Sequence, residues 1–343
     1  MTCPNCQSTD HQPEAKYCCH CGASLTGREC PICHSTDHLP EAKFCFHCGA
    51  SLPFEECPTC HSTDNLPEAT FCSHCGSSLN KNKEEFPSDE TASKPAHLSP
   101  VINQLIDNMV EVKGGTFFMG ATSEQKDDCE NDEMPVHQVT LSTFSIGRYP
   151  VTQKEWKEVM GTNPSIFERN DQPVENVSWD DCQEFIQKLN KLTGMNFRLP
   201  TEAEWEFAAR GGKESENFIY SGDDDLDEVA WFYENSGDVW ADEDEWSEDH
   251  LEEYQCRPQP VGQKMPNELE LYDMSGNVWE WCSDWYGRYD SSFQTNPTGP
   301  ETGSYRIKRG GAWYNKAESC RVSYRGNANP TDKECHTGFR LAL

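Results

Sequence analysis

The sequence has no tryptophan before Trp156, although it contains ten of them. It also has no apolar run that approaches the roughly 18 residues of a membrane-spanning helix. Because large aromatic side chains dominate hydrophobic cores, we expect the main core in the C-terminal two-thirds of the chain. A chain of 343 residues is long enough for two or more units and one sizeable core. We expect no membrane partner.

Basic residues are scarce: 28 Lys and Arg stand against 59 Asp and Glu, which gives a formal charge of −31. Residues 1–79 contain only Lys16, Arg28 and Lys43 as basic residues. Phosphate binding needs concentrated Lys and Arg. The composition therefore argues against nucleic acid as a partner.

A secretory signal is not visible at the N-terminus, because residues 1–6 provide neither a basic region nor an apolar one. The 19 cysteines would otherwise suggest a disulfide scaffold. In the absence of export, we expect a cytoplasmic protein whose cysteines are reduced thiols or metal ligands.

Most of the cysteines follow a 27-residue repeat. Each repeat has a Cys-x-x-Cys pair, eleven further residues, and a second Cys-x-x-Cys pair followed by glycine. The twelve cysteines of this pattern are Cys3, Cys6, Cys18, Cys21, Cys30, Cys33, Cys45, Cys48, Cys57, Cys60, Cys72 and Cys75.

Four thiolates from two such pairs can close a tetrahedron around zinc, and the metal then supplies folding energy that so short a unit lacks. The pattern resembles three zinc ribbons at residues 1–27, 28–54 and 55–79, with one structural zinc each. Iron in a rubredoxin-like site and disulfides are the alternatives. We expect the ribbons to contact a protein partner. The polar, proline-punctuated stretch 80–100 predicts a flexible linker.

Beyond the linker, few helices and many short strands predict an α+β domain at residues 101–343. Residues 109–120 are strand-like around a Gly-Gly turn, and alternation across 136–146 predicts further strands. Three helix starts pair a hydroxyl residue with an acid three positions later. These pairs are Thr152 with Glu155, Ser178 with Asp181, and Thr201 with Glu204.

Residues 223–253 hold fifteen Asp or Glu and no Lys or Arg. Such a charge run is typical of a solvated loop. A surface that binds a cation or a cationic partner is the alternative.

The stretch 271–281 combines a Ser-Gly-Asn turn with two tryptophans at alternate positions. Trp279 and Trp281 predict one inward strand face, so Glu280 points to the other side. Asp273, Glu280 and the carbonyls of the glycine turn offer the oxygen ligands that hard cations prefer. A plain buried strand after a turn is the alternative.

Six segments together resemble the formylglycine-generating enzyme or sulfatase-modifying factor family. They occur in the family's order at residues 114–120, 150–152, 198–210, 271–281, 309–313 and 338–342. The resemblance implies a variant of the C-type lectin fold. It also implies a structural calcium ion held by Asp273, the carbonyls of Gly276 and Val278, and Glu280.

Active members of this family oxidise a substrate cysteine with oxygen and Cu(I), which two cysteines five positions apart hold. Here Cys320 matches the second cysteine, but Asn315 occupies the first and Ala312 replaces a turn serine. A neutral carboxamide cannot replace a thiolate for Cu(I). The sequence therefore argues against copper and predicts that Cys320, the family-matched catalytic candidate, is a small buried group.

Three functions remain open. The favoured one is a non-catalytic ligand- or protein-binding module tethered to zinc ribbons. An oxidoreductase that acts on a protein cysteine with an altered metal site is the alternative, and a retroelement-diversified display protein is the second. Aromatic and amide side chains on a rigid scaffold suit binding. The candidate ligand-binding residues are Trp313, Tyr314, Asn315, Tyr324, Asn327, Asn329 and His336.

Overall fold

The computed structural model describes residues 98–125, 129–240 and 247–343. The chain divides into two units, Met1–Ser93 and Lys94–Leu343, and all described residues belong to the second. The predicted zinc ribbons, their twelve cysteine ligands and nearly all of the predicted linker lie outside the described residues.

Helices and strands alternate irregularly along the second unit, as the predicted α+β class requires. The helices are α1 (Pro100–Asp107), α2 (Gln153–Met160), α3 (Trp179–Thr193), α4 (Glu202–Ala209), α5 (Leu226–Val229) and α6 (Glu248–Glu253). The strands are β1 (Met109–Val112), β2 (Thr116–Met119), β3 (His137–Thr140), β4 (Phe144–Gly147), β5 (Trp279–Trp285), β6 (Gln294–Thr295), β7 (Arg306–Arg309), β8 (Arg325–Ala328) and β9 (Thr337–Gly338). Within the described ranges, no helix is both long enough and apolar enough to cross a membrane.

Helices α2, α3 and α4 begin at the three positions that the capping pattern predicted. In each, the hydroxyl of Thr152, Ser178 or Thr201 accepts a hydrogen bond from the backbone N–H three residues on, and the acid at that position accepts one in return. Helix α3 ends at Gly194, whose φ of 73° lies in the left-handed region that glycine adopts at low cost.

Helix α1 was not predicted, and it begins at the last residue of the predicted linker. Ser99 caps this helix and Pro100 occupies its first turn. Leu98 already packs against the core. Residues 98–100 therefore belong to this helix and its cap, because a Ser-Pro pair can open a helix as well as punctuate a loop.

Strand β5 lies inside a four-stranded sheet with the order β8-β7-β5-β9. It runs antiparallel to β7 and parallel to β9. The other two sheets are small: β1 pairs with β4, and β2-β3-β6 form three strands. Residues 279–282 of β5 are all buried, so both faces of this strand are covered.

Three hydrophobic clusters meet at β5. Trp281 packs among the side chains around α2 and α3, where Trp156 stacks on Phe185 at 5.2 Å. Cys282 belongs to the cluster around α4. Trp279 joins a third and smaller cluster with Trp313. The third cluster contains most of the predicted ligand-binding aromatic residues.

Candidate ligand-binding site

Trp313 forms the centre of an aromatic cluster that we call the Trp313 cluster. Its buried members are Tyr233, Cys256, Trp279, Ala312 and Trp313, and its partly buried members are Phe167, Leu251, Tyr254, Tyr314, Tyr324 and Cys335. The Trp313 ring meets the Phe167 ring at 5.5 Å and 75°, an edge-on contact that aromatic pairs favour. Its indole N–H donates to the carbonyl of Cys335 at 3.3 Å. These contacts fix the Trp313 ring.

Tyr314 and His336 extend the cluster as uncharged rings. Their ring centroids are 4.2 Å apart. Burial lowers the pKa of His336 to about 4, although Glu334 opposes this shift. Burial also raises the pKa of Tyr314. Both side chains are therefore neutral at pH 7.

A cavity of about 790 Å³ opens beside the cluster. We call it the acidic-aromatic pocket. Its lining residues are Phe167, Asp249, Leu251, Glu252, Glu253, Gln255, Cys256, Arg257 and Trp313. Its volume falls within the range of small-molecule sites in proteins.

Helix α6 supplies the acidic wall of the pocket. The Ser247 hydroxyl caps it by accepting from the backbone N–H of His250. Glu252 and Glu253 follow Asp249 by three and four residues, so both lie on the side of the helix that Asp249 occupies. Arg257 is the one Lys or Arg among the lining residues, and it donates to Asp238 and to the carbonyl of Gln255.

The positions that match the family's cysteine pair lie in different surroundings. Cys320 is fully buried in a small cluster with Phe232 and the residues around α5. Burial raises the pKa of its thiol to about 12. The backbone of Asn315 bonds to Tyr233 and Ala312. Its side-chain Oδ1 is buried and has no hydrogen-bond partner among the described residues.

The carboxylate of Glu280 is fully buried and bonded to Arg340. The guanidinium donates to its two oxygens at 2.6 and 2.7 Å, and the indole N–H of Trp205 donates at 2.7 Å. Glu280 therefore faces away from Trp279 and Trp281, as predicted, but into a second buried region rather than solvent.

Asp273 lies in the same electrostatic environment as Glu280 and Arg340. It accepts from the backbone N–H of Gly262 at 2.8 Å and from the Asn277 amide at 3.1 Å. Burial raises its pKa to about 6.

The other two predicted calcium ligands, Gly276 and Val278, lie between Asp273 and Glu280 in the same turn. No group of three or more His, Cys, Asp or Glu side chains in the described ranges is arranged to hold a metal ion. A calcium ion at the four predicted groups would have to share Glu280 with Arg340. This site stays a prediction.

Comparison with known families decides the classification of the second unit. Residues 94–343 match the model of the sulfatase-modifying factor enzyme 1-like domain. The chain belongs to this family. Residues 35–76 match a double zinc ribbon, which supports zinc binding by the cysteines of that region. The third ribbon stays a prediction.

Relatives of this sulfatase-modifying factor family member carry different names. The chaperone protein LppX of Paenibacillus barcinonensis is 38% identical over 268 residues, which cover 68% of this chain and 89% of LppX. The formylglycine-generating enzyme of Thermomonospora curvata is 29% identical over 299 residues, which cover 70% of this chain and 94% of the enzyme.

Solved structures of the same fold confirm the formylglycine-generating-enzyme-like variant of the C-type lectin fold. Treponema denticola variable protein 1 is 30% identical with a TM-score of 0.58, over 68% of this chain and 94% of that protein. PvdO from Pseudomonas aeruginosa is 27% identical with a TM-score of 0.53, over 68% of this chain and 93% of PvdO.

Trp313 is the one predicted ligand-binding residue among the lining residues of the acidic-aromatic pocket, and the other six lie outside that lining. Tyr324 contacts the Trp279 ring at 6.0 Å between centroids. Asn327 is exposed on β8 opposite Ile307. The side chain of Asn329 accepts from the backbone and hydroxyl of Thr331 and thereby holds a turn.

Sequence reasoning missed Phe167, Leu251 and Cys256 as pocket residues. They come from segments far from residues 313–336, and only tertiary packing brings them to Trp313. The run of acids at 223–253 was the available signal for the opposite wall. Its described part includes two short helices, α5 and α6, so the solvated-loop interpretation is too simple for those residues.

Proposed function

We propose that the chain is a non-catalytic module that binds a polypeptide at the acidic-aromatic pocket. The observation that carries the proposal is an open cavity beside a fixed aromatic surface. Trp313 lines the cavity although only 5% of it is exposed, and the partly buried Phe167 lines the cavity beside it. Ring contacts and a hydrogen bond hold Trp313 in place, so little side-chain entropy is lost when a ligand packs on its exposed part. Rigid aromatic anchors of this kind are typical of binding surfaces.

The family-matched positions argue against copper chemistry. The thiolate is the ligand of soft metals, and Cys320 can supply only one of the two that the site needs. Asn315 offers a neutral carboxamide in place of the other thiolate. These residues do not fit a two-thiolate Cu(I) site.

The family name does not assign an activity, because one fold hosts different functions. One relative is named a formylglycine-generating enzyme and another is named a chaperone protein. The second name supports a polypeptide as the ligand of this chain.

Peptide binding by the full chain tests this proposal. The probe is an immobilised array of short peptides that spans basic, acidic and neutral sequences. We expect the wild-type chain to bind part of the array, and W313A and F167A to lose at least about tenfold in affinity, since each removes one side of the aromatic surface. F293A controls for the loss of an exposed aromatic ring outside the pocket, because Phe293 is 58% exposed. W156A is the matched control for W313A, because Trp156 is a buried tryptophan outside the pocket.

Far-UV circular dichroism and thermal unfolding identify any variant that fails to fold, and two pocket variants keep the test decisive. A wild-type chain that binds no peptide would overturn the proposal. Equal losses in F293A and in the pocket variants would overturn it as well.

A display role with diversified sequences is the second candidate. Its support is the similarity to a protein named variable protein 1, together with the exposure of Asn327 and Asn329 on the C-terminal surface. Sequencing this gene in many isolates of the source organism tests it. Substitutions concentrated in codons 313–336 would favour display, and an even spread along the gene would exclude it.

A further inference from the structure

We propose that a second cavity, which we call the Asp284 cavity, binds a small organic amine that carries one positive charge and a further hydrogen-bond donor, as an amino alcohol does. Its volume is about 280 Å³, close to the lower limit of small-molecule sites. Its lining includes Met119, His137, Glu202, Asp284, Trp285 and Arg288. It shares no lining residue with the acidic-aromatic pocket, and neither Asn315 nor Cys320 lines it. Binding here is therefore separate from the proposed peptide binding.

Asp284 is a buried acid without a basic partner. Only 4% of it is exposed, and no Lys, Arg or His of the described ranges forms an ion pair with it. Burial and the negative charge of Glu202 raise its pKa to about 7. Four other buried acids each pair with an arginine: Glu133 with Arg321, Glu202 with Arg325, Glu206 with Arg309, and Glu280 with Arg340. A buried carboxylate needs such a partner, and at Asp284 a ligand can supply it.

One oxygen of Asp284 is open to the cavity. Oδ2 accepts from the backbone N–H of Glu202 at 3.0 Å and from the Ser283 hydroxyl at 2.9 Å. Oδ1 receives no hydrogen bond from the described residues and is not enclosed. Gly299 keeps the approach open, because a Cβ at this position would lie 3.2 Å from Oδ1. An ammonium group, which has three donors and a positive charge, suits this oxygen better than a neutral donor does.

The charges of the lining favour a ligand with one positive charge. The lining contains three acids and two arginines. Glu202 and Arg325 neutralise each other through hydrogen bonds of 2.7 and 2.8 Å. Asp290 and Arg288 are both exposed and have opposite charges. The ionised Asp284 therefore leaves an excess of one negative charge, which a single ammonium group balances.

His137 supplies a second acceptor. It is 4% exposed, and its Nδ1 lies 3.1 Å from the carbonyl of Pro135. Because a carbonyl only accepts, Nδ1 carries the proton, and Nε2 of the neutral ring keeps a lone pair without a partner among the described residues. Contact with the Tyr289 ring at 4.7 Å holds the imidazole in place. A hydroxyl of the ligand can donate to Nε2, while Met119 and Pro300 contact the carbon chain.

Three probes of similar size separate these contacts: aminobutanol, butanediol and pentylamine, each with its polar groups at the chain ends. Butanediol lacks the charge, and pentylamine lacks the hydroxyl. Binding to the full chain is followed by the methyl signal of Met119 in NMR spectra, assigned with M119L. We expect aminobutanol to bind at least about tenfold more tightly than butanediol and about threefold more tightly than pentylamine.

The pH dependence of binding gives an independent readout. A cation binds the ionised carboxylate, so the affinity for aminobutanol falls as Asp284 takes up a proton below about pH 7. We expect a loss of about tenfold or more from about pH 8 to pH 5.5, and less than about twofold for butanediol. The charged groups that act on Asp284 from neighbouring elements are Glu202 and Glu204 of α4 and Arg306 of β7. Protonation of His137 would act in the same direction, so H137F must keep the dependence.

D284N keeps the shape of the site and removes its charge. We expect the advantage of aminobutanol over butanediol to fall to about twofold or less and the pH dependence to disappear. E175Q is the matched control, because Glu175 is another buried acid whose pKa burial raises to about 7, and it lies outside the cavity. H137F should remove the advantage over pentylamine and keep the advantage over butanediol.

Equal binding of aminobutanol and butanediol to the wild-type chain would overturn the inference, as would the absence of a Met119 shift with all three probes. Losses in E175Q as large as those in D284N would overturn it as well. Far-UV circular dichroism and thermal unfolding show whether D284N folds. If it does not fold, the wild-type chain decides, and an affinity for aminobutanol that stays constant down to pH 5.5 refutes the role of Asp284. Peptide binding is measured separately and does not depend on these results.

Discussion

Glu280 of β5 and Arg340, two residues after the end of β9, form a buried ion pair. Both side chains are completely buried, and Arg340 also donates to the carbonyls of Gly147 and Tyr272. Removing one partner of such a pair leaves an uncompensated buried charge. Breaking this pair should therefore destabilise the fold more than breaking an exposed ion pair would.

We expect E280Q to lower the free energy of unfolding by about 3–5 kcal/mol, measured by urea denaturation. D171N is the matched control, because Asp171 and Arg169 form a pair that is more than half exposed. The control should change stability by less than about 1 kcal/mol. An equally small effect of E280Q would contradict the assignment of a structural role to this pair.

Glu175 should make stability depend on pH. It is fully buried, its Oε2 has no hydrogen-bond partner among the described residues, and burial raises its pKa to about 7. Because the folded state binds the proton more tightly than the unfolded state, this stabilisation is complete below pH 4.5 and is lost as pH rises through about 7.

Replacing Glu175 with glutamine removes this titration. The difference in the free energy of unfolding, E175Q minus wild type, should rise by roughly 3 kcal/mol between about pH 4.5 and pH 8. Chemical denaturation across this range measures it, with the exposed E158Q as a flat control. A difference that stays constant with pH would show that Glu175 does not titrate as the structure implies.

At the scale of elements, the helix caps were predictable and the shortest strands were not. Helices α2, α3 and α4 follow from local patterns of hydroxyl and acidic residues. Strand β9 has only two residues and exists because it pairs with β5 more than fifty positions earlier. No local signal marks such a strand.

We expect S178A to lower the free energy of unfolding by about 1 kcal/mol, because it removes the cap of α3. S178T retains the capping hydroxyl and should lose less than the alanine variant. Thermal and urea denaturation of the two variants measure this difference. Equal losses would mean that the packing of Ser178, rather than its cap, determines the effect.

The candidate site was predictable only where its residues lie close together in the sequence. Trp313, Tyr314 and His336 lie within one C-terminal stretch, and the structure brings their rings together. Asn327 and Asn329 were predicted as ligand-binding residues from their position in this stretch. The side chain of Asn329 holds a turn. The pocket itself needed α6 and Phe167, which the fold supplies from elsewhere in the chain.

At the scale of the whole molecule, the family domain is joined to a metal-binding region. The double zinc ribbon match covers residues 35–76, and three sets of four cysteines were predicted over residues 1–79. Its three Lys and Arg residues are too few to form a patch for nucleic-acid phosphates. We therefore propose that this region contacts a protein partner.

Metal analysis of the purified full chain should give close to three zinc ions per chain, because each set of four thiolates suits one tetrahedral zinc. C18S should reduce this number by about one. Iron in place of zinc, or an unchanged zinc content in C18S, would contradict the prediction. The same measurement tests the predicted calcium ion at Asp273 and Glu280.

Oxidation of a cysteine peptide tests the central claim most directly. The full chain and the Thermomonospora curvata formylglycine-generating enzyme are supplied with Cu(I), oxygen and a pool of single-cysteine peptides, and peptide mass and oxygen consumption are followed. We predict that the T. curvata enzyme converts its preferred peptide, whereas this chain binds peptides without oxidising them. Conversion of a cysteine by this chain, abolished in C320S, would contradict the account.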